Sequence, residues 1–120
     1  MLRAWSSTQS VIALSSGEAE YYTLLKGVSG GLGMKSLMNE LGLYPEVTAK
    51  TDSTAAKGMV GRRGLGKTRH ADVCYLCLQD MALRREVTVT KIPGDTNPAD
   101  SMAKYLAGDR TAKLREDMGL

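Results

Sequence analysis

The stretch Gln9-Ser-Val-Ile-Ala-Leu-Ser-Ser-Gly-Glu-Ala-Glu-Tyr21 changes its pattern half-way along. As far as Leu14 it is a short run of β-branched and apolar residues, which suits a buried strand. From Ser15 it reads as a helix start. Ser15 and Glu18 have the S-x-x-E spacing of a capping box, in which hydroxyl and carboxylate each satisfy a backbone N–H that the first helical turn leaves free. A strand running straight into a capped helix is the opening of an α/β layer arrangement.

Working outward, Tyr21, Leu24, Leu25, Val28, Leu32, Leu37, Met38 and Leu41 recur at spacings of three and four, so the helix is predicted to reach about residue 41, where Gly42 stops it. Gly27, Gly30, Gly31 and Gly33 each cost up to about 1 kcal/mol relative to Ala in a helix interior, and they predict a kink between 27 and 33. Beyond Tyr44-Pro45, residues 46–51 alternate as a half-buried strand does. Asp52 follows at once, in position to cap a short helix over 53–60. Residues 61–69 form a basic loop with three glycines. A helix is expected over 71–83, with Val73, Leu76, Cys77, Met81 and Ala82 or Leu83 toward the core. Residues 86–92 alternate strictly and give the clearest strand, closed by Pro93-Gly94. Asn97, Pro98 and Asp100 stand as cap, first helical residue and first-turn acid of another helix. A last helix is expected over 111–118. The predicted fold is therefore α/β, with at least three strands (9–14, Val47–Thr51 and 86–92) in one mixed sheet flanked by helices, as a single domain over 1–120.

The composition agrees with one small soluble domain. The 120 residues are 42% hydrophobic and 24% charged, which argues against a disordered chain. With no Phe and seven Met, the core must be built from Leu, Val, Ile, Ala and Met. A net charge of +3 and a pI of 8.9 suit a polyanionic partner without reaching the range of dedicated nucleic-acid modules. Two cysteines without a disulfide pattern, no membrane-length apolar run and no signal-peptide segment predict an intracellular protein, cytoplasmic or nuclear, with no membrane partner.

Three acids stand at element boundaries: Glu20 in the early turns of the first helix, Asp52 just after a strand and Asp100 in the first turn of a late helix. Carboxylates brought together from different elements are what a two-Mg²⁺ phosphodiester hydrolase needs. The same positions also suit helix caps and helix dipoles. Lys57, Arg62, Arg63, Lys67 and Arg69 precede His70 with no acid among them, a segment that reads either as phosphate-contacting or as a solvated loop. His70, Cys74 and Cys77 share one helix face, yet with no other histidine or cysteine a closed four-ligand zinc site lacks donors, and the cysteines are expected to be small buried residues.

Several strings in one order carry a resemblance. Trp5-Ser-Ser-Thr-Gln9 and Val11-Ile-Ala-Leu-Ser-Ser-Gly-Glu-Ala-Glu-Tyr21 resemble the W-S-x-x-Q and V-A-L-S-S-x-E-A-E-Y segments of copia-type retrotransposon ribonuclease H domains. Asp52-Ser53 with Ala55 and Ala56, then Lys67-Thr-Arg-His-Ala-Asp72, are similar to that family's D-N-x-x-A and R-T-K-H-I-D segments. Ile92-Pro93, Asn97-Pro-Ala-Asp100, Lys104 and the closing Met118-Gly-Leu120 continue the order. The resemblance implies a ribonuclease-H-like fold that cleaves the RNA strand of RNA/DNA hybrids with Mg²⁺ held by four carboxylates, of which Glu20, Asp52 and Asp100 match three. Glu20 is preferred to Glu18 because the capping box already employs Glu18. Arg62, Arg63, Lys67 and Arg69 would contact nucleic acid, and the reverse transcriptase portion of the same polyprotein would be a partner. In the family a strand with the first aspartate lies upstream of the Trp-Ser segment. Only four residues precede Trp5, so the expectation is a domain incomplete at its N-terminus and inactive by itself, with a non-catalytic remnant that binds nucleic acid weakly as the alternative.

Overall fold

The computed structural model describes residues 4–10, 12–64, 73–103 and 105–119. Its elements are α1 (Ser16–Glu40), β1 (Val47–Thr51), α2 (Thr54–Gly61), α3 (Val73–Leu83), β2 (Val87–Lys91), a 3-10 turn (Gly94–Thr96), α4 (Asp100–Ala103) and α5 (Gly108–Asp117). The strands pair in parallel, with Val47 opposite Val87 and Thr51 opposite Lys91. Parallel neighbours need a crossover, here made by α2 and α3. The alternation read in the sequence is the alternation of the sheet. Val47, Ala49 and Val89 pack against the core, Val87 is fully inside it, and Thr48, Lys50 and Thr88 face outward.

The capping box at the start of α1 forms. The Glu18 amide donates to the Ser15 hydroxyl at 3.2 Å, and the Glu18 carboxylate accepts from the Leu14 amide at 3.0 Å, one residue earlier than the motif's usual partner. At the other end Gly42 takes φ of +80°, the left-handed conformation that ends helices.

Three expectations need correction. First, α1 runs unbroken for 25 residues through its glycines. Two of them are sites of close approach: a Cβ at Gly31 would lie 3.2 Å from the Val47 side chain, and one at Gly30 would lie 3.1 Å from the Trp5 ring. The helix tolerates their propensity cost because they let it lie close against the sheet on one side and Trp5 on the other. Second, the described residues of 9–14 form no strand, so the described sheet has two strands where three were expected. A strand exists by its ladder; β1 and β2 satisfy each other, and Ile12 and Leu14 stand 89% and 71% exposed. Third, α3 is rotated from the expected face. Tyr75 and Leu78 are fully buried, whereas Leu76 and Cys77 are exposed. Tyr75 sets this rotation by stacking on Tyr21, with ring centroids 4.0 Å apart, while its carbonyl accepts the Tyr21 hydroxyl at 2.5 Å. The Cys74 side chain and His70 lie outside the described residues.

The core joins Tyr21, Leu24 and Val28 of α1 to Ala56 and Val60 of α2, Tyr75 and Leu78 of α3 and Val87 of β2. Two tyrosines thus do the space-filling that phenylalanine does elsewhere, each with a polar tip that must find a partner. Burial, reinforced by Tyr75, pushes the Tyr21 hydroxyl far above its ordinary ionisation range, with Arg62 pulling more weakly the other way. Among the described residues, no helix is long and apolar enough to cross a membrane.

Candidate functional site

The C-terminal end of β1 delivers Asp52 to a position set by its neighbours. The Ile92 amide extends the ladder by donating to the Thr51 carbonyl at 2.9 Å, so the two strands leave the sheet side by side. Asp52 was expected to cap α2, but Ser53 does so: its hydroxyl accepts the Ala56 amide at 3.1 Å. Asp52 is thereby left half-buried, and its carboxylate accepts no hydrogen bond among the described residues. It faces Gly94, where a Cβ would come within 3.5 Å of Asp52 Oδ2.

Asp100 is tied to the same glycine through Arg110. Asn97 opens the turn before α4 by accepting the Ala99 amide at 3.2 Å, and Asp100 enters α4 buried, at 7% exposure. Arg110 of α5 then spans the gap, with one terminal nitrogen donating to the Gly94 carbonyl at 2.8 Å and to Asp100 Oδ2 at 3.2 Å. The same nitrogen lies 3.8 Å from Asp95, whose side chain is almost wholly exposed and adds little. Asp52 thus lies beside Gly94, and the Arg110 guanidinium links the Gly94 carbonyl to Asp100, a second acid far away in the chain.

Glu18 and Glu20 divide as the capping argument requires. Glu18 is buried, with its carboxylate committed to the Leu14 amide, while Glu20 is exposed. Hard oxygen donors such as Asp52 and Asp100 fit a divalent ion in kind. They fall short in number, because no three His, Cys, Asp or Glu side chains gather into a metal-holding group among the described residues.

The basic segment is anchored by a residue that the sequence did not flag. Gln79, 8% exposed on α3, donates to the Met59 carbonyl at 2.8 Å and the Gly64 carbonyl at 3.1 Å, and accepts the Gly64 amide at 3.0 Å. It fixes the path by which the chain leaves α2. Arg62 is half-buried and donates to the Tyr75 hydroxyl at 3.3 Å; Arg63 is exposed. Arg62, Arg63 and Gly64 border a cleft of about 400 Å³ against Leu76, Gln79 and Leu83. Lys67 and Arg69 lie outside the described residues.

Sequence reasoning missed Arg110, Gln79 and Gly94. Local spacing carries no signal for Arg110, which follows its partner Asp100 by ten residues and a helix break. Gln79 offered one weak signal, an uncharged polar residue in a mostly apolar helix.

The chain is 29% identical over 120 residues to the retrovirus-related Pol polyprotein from transposon TNT 1-94 of Nicotiana tabacum, an alignment covering 98% of this chain and 9% of that polyprotein. No family model matches, and no solved structure does so significantly. The chain is thus similar along nearly its whole length to a short part of a retrotransposon Pol polyprotein.

Proposed function

We propose that the chain is the ribonuclease H portion of a retrotransposon Pol polyprotein, hydrolysing the RNA strand of RNA/DNA hybrids. One observation carries the reading: Asp52, half-buried and without a hydrogen-bond partner among the described residues, lies beside Gly94, whose carbonyl Arg110 links to Asp100, so two boundary acids of the family pattern are connected through one glycine beyond the end of the sheet. Burying part of a carboxylate without a donor is unfavourable, and a cation at this end would remove the cost. Asp52 and Asp100 would hold Mg²⁺ with Glu20, whose exposed carboxylate is the one not committed to the cap of α1. A further carboxylate would come from the strand that the family carries upstream. Bound divalent ions would activate water and stabilise the leaving oxygen of the phosphodiester.

The chain's own part is to orient these acids and to hold the substrate's backbone. Arg62, Arg63, Lys67 and Arg69 would contact phosphates, and Gln79 would keep the start of that segment in one path. In the intact polyprotein the reverse transcriptase portion would be its neighbour. The two-stranded sheet and the absence of a three-acid group among the described residues favour the second reading for the chain by itself, a remnant that binds nucleic acid without cleaving it. The test is an assay of hybrid, RNA duplex and DNA duplex with Mg²⁺ on the Pol segment that contains this chain. Cleavage confined to the RNA strand of the hybrid, and lost in Asp52→Asn and Asp100→Asn, is expected. Cleavage that survives both substitutions would remove the assignment.

A further inference from the structure

We propose that Arg85 belongs to the nucleic-acid interface, forming with Lys57, Arg62 and Arg63 one phosphate-binding track over two adjoining clefts. The inference rests on the reading of the basic segment as a nucleic-acid contact and extends it to a residue outside that segment.

Arg85 stands where the backbone favours glycine. It takes φ of +60°, in the left-handed region. Its amide donates to the Ala82 carbonyl at 3.2 Å and the Glu86 amide donates to the Met81 carbonyl at 3.0 Å, the paired bonds that close a helix behind a left-handed residue. The end of α1 is built in the same way, with the Gly42 amide on the Asn39 carbonyl and the Leu43 amide on the Met38 carbonyl, and there the left-handed residue is glycine. A side chain in this conformation costs stability that glycine does not. Arg85 is exposed, so burial does not offset the cost.

What the position gives is a place beside other cations. Arg85 and Lys57 line a cleft of about 400 Å³ against Val87, Thr88 and Val89. The cleft bordered by Arg62 and Arg63 adjoins it, since Val60, Gly61 and Ala82 line both. Gly61 lies between them with no side chain to divide them; a Cβ there would meet nothing within 4 Å, so packing does not call for glycine. Asp80 is the acid among the described lining residues, and Arg84 holds it, with Nε 3.0 Å from the carboxylate; Glu86 lines neither cleft. Four cations on one continuous surface suit a polyanion, and a phosphodiester backbone brings a negative charge at each nucleotide. Both clefts lie at the start of β2, whereas Asp52 follows the end of the parallel strand β1, so the track positions the hybrid at a distance from the acids.

The test is binding of the full chain to a fluorescent RNA/DNA hybrid over a range of salt, beside urea unfolding of the same variants. Arg85→Gly should raise the urea midpoint, because it relieves the left-handed residue, and at the same time flatten the slope of log affinity against log salt by up to about 0.9. Lys57→Gln should flatten the slope to the same extent. Lys113→Gln, which removes an equal charge from α5 outside both clefts, should leave it unchanged. A lower urea midpoint in Arg85→Gly would show that the arginine supports the fold, and the inference would fail. A slope that responds to Arg62→Ala and Arg63→Ala but not to Arg85→Gly or Lys57→Gln would also sink it, and leave the nucleic-acid reading of the segment standing. Absence of salt-sensitive binding to the hybrid, or tighter binding of polyglutamate than of the hybrid, would overturn both.

Discussion

Replacing Gln79 with Leu keeps the volume of a nearly buried side chain and deletes its three hydrogen bonds, to the Met59 carbonyl and to both backbone groups of Gly64. Each such bond contributes about 0.5–1.5 kcal/mol net, and a buried group left unsatisfied costs about 1–3 kcal/mol. Gly64 is exposed, so its two groups regain water when Gln79 is replaced. The two Gly64 bonds therefore enter at about 0.5 kcal/mol each and the Met59 carbonyl, left without its donor, at about 1–3 kcal/mol, while the added apolar burial of Leu offsets part of the sum. The net expectation is a destabilisation of about 2 kcal/mol, seen as a lower urea midpoint at unchanged slope. Amide hydrogen exchange should report the same event locally, with protection disappearing at Gly64 before it does at Val87 in the sheet. The functional counterpart is weaker binding of RNA/DNA hybrid, because the basic segment no longer leaves α2 along a fixed path. A Gln79→Leu chain as stable as the parent, with Gly64 still protected, would show that Gln79 does not anchor the segment.

Other outcomes follow from the same geometry. Tyr21→Phe keeps the stack on Tyr75 and loses the hydroxyl bond, and should cost about 1 kcal/mol at neutral pH. Because the folded Tyr21 hydroxyl ionises well above its unfolded counterpart, its contribution is complete below about pH 10 and declines as the pH rises further; thermal melts between pH 8 and 11 should therefore fall less steeply for Tyr21→Phe than for the parent. Gly17→Ala should destabilise by about 1–3 kcal/mol, since its Cβ would lie 2.9 Å from that of Ala55, whereas Gly27→Ala meets nothing within 4 Å and should stabilise by up to about 1 kcal/mol; denaturant melts of both decide. Replacing Arg62, Arg63 and Lys67 with Ala should flatten the dependence of hybrid affinity on the logarithm of salt by up to about 0.7–0.9 for each phosphate no longer neutralised, and an unchanged slope would leave the segment without a nucleic-acid role.

What could be read in advance was what a local pattern encodes. β1 and β2 were legible because a half-covered sheet imposes alternation on Val47, Ala49, Val87 and Val89. The start of α1 was legible because Ser15 and Glu18 bond within one turn. Residues 9–14 misled for the opposite reason: their apolar run has strand character, but a strand also needs a partner, and no local pattern supplies one. The rotation of α3 follows from a stack between Tyr21 and Tyr75, 54 residues apart, which outweighs the helix's own weak amphipathicity. At the site, Asp52 and Asp100 stood out as boundary acids. The link from Gly94 to Asp100 through Arg110 depends on where α5 folds back.

Ribonuclease H identity is decided by Mg²⁺-dependent cleavage of an RNA/DNA hybrid by two purified proteins side by side: this 120-residue chain, and the same chain extended upstream through the strand that the family pattern places there. Two divalent ions close together repel strongly and need several carboxylates to hold them, and the described residues gather no group of three. RNA-strand cleavage by the extended protein, abolished by Asp52→Asn, is expected, with none of comparable rate by the 120-residue chain. Robust cleavage by the extended protein that is indifferent to Asp52 and Asp100, or no cleavage by it at all, would be incompatible with the assignment.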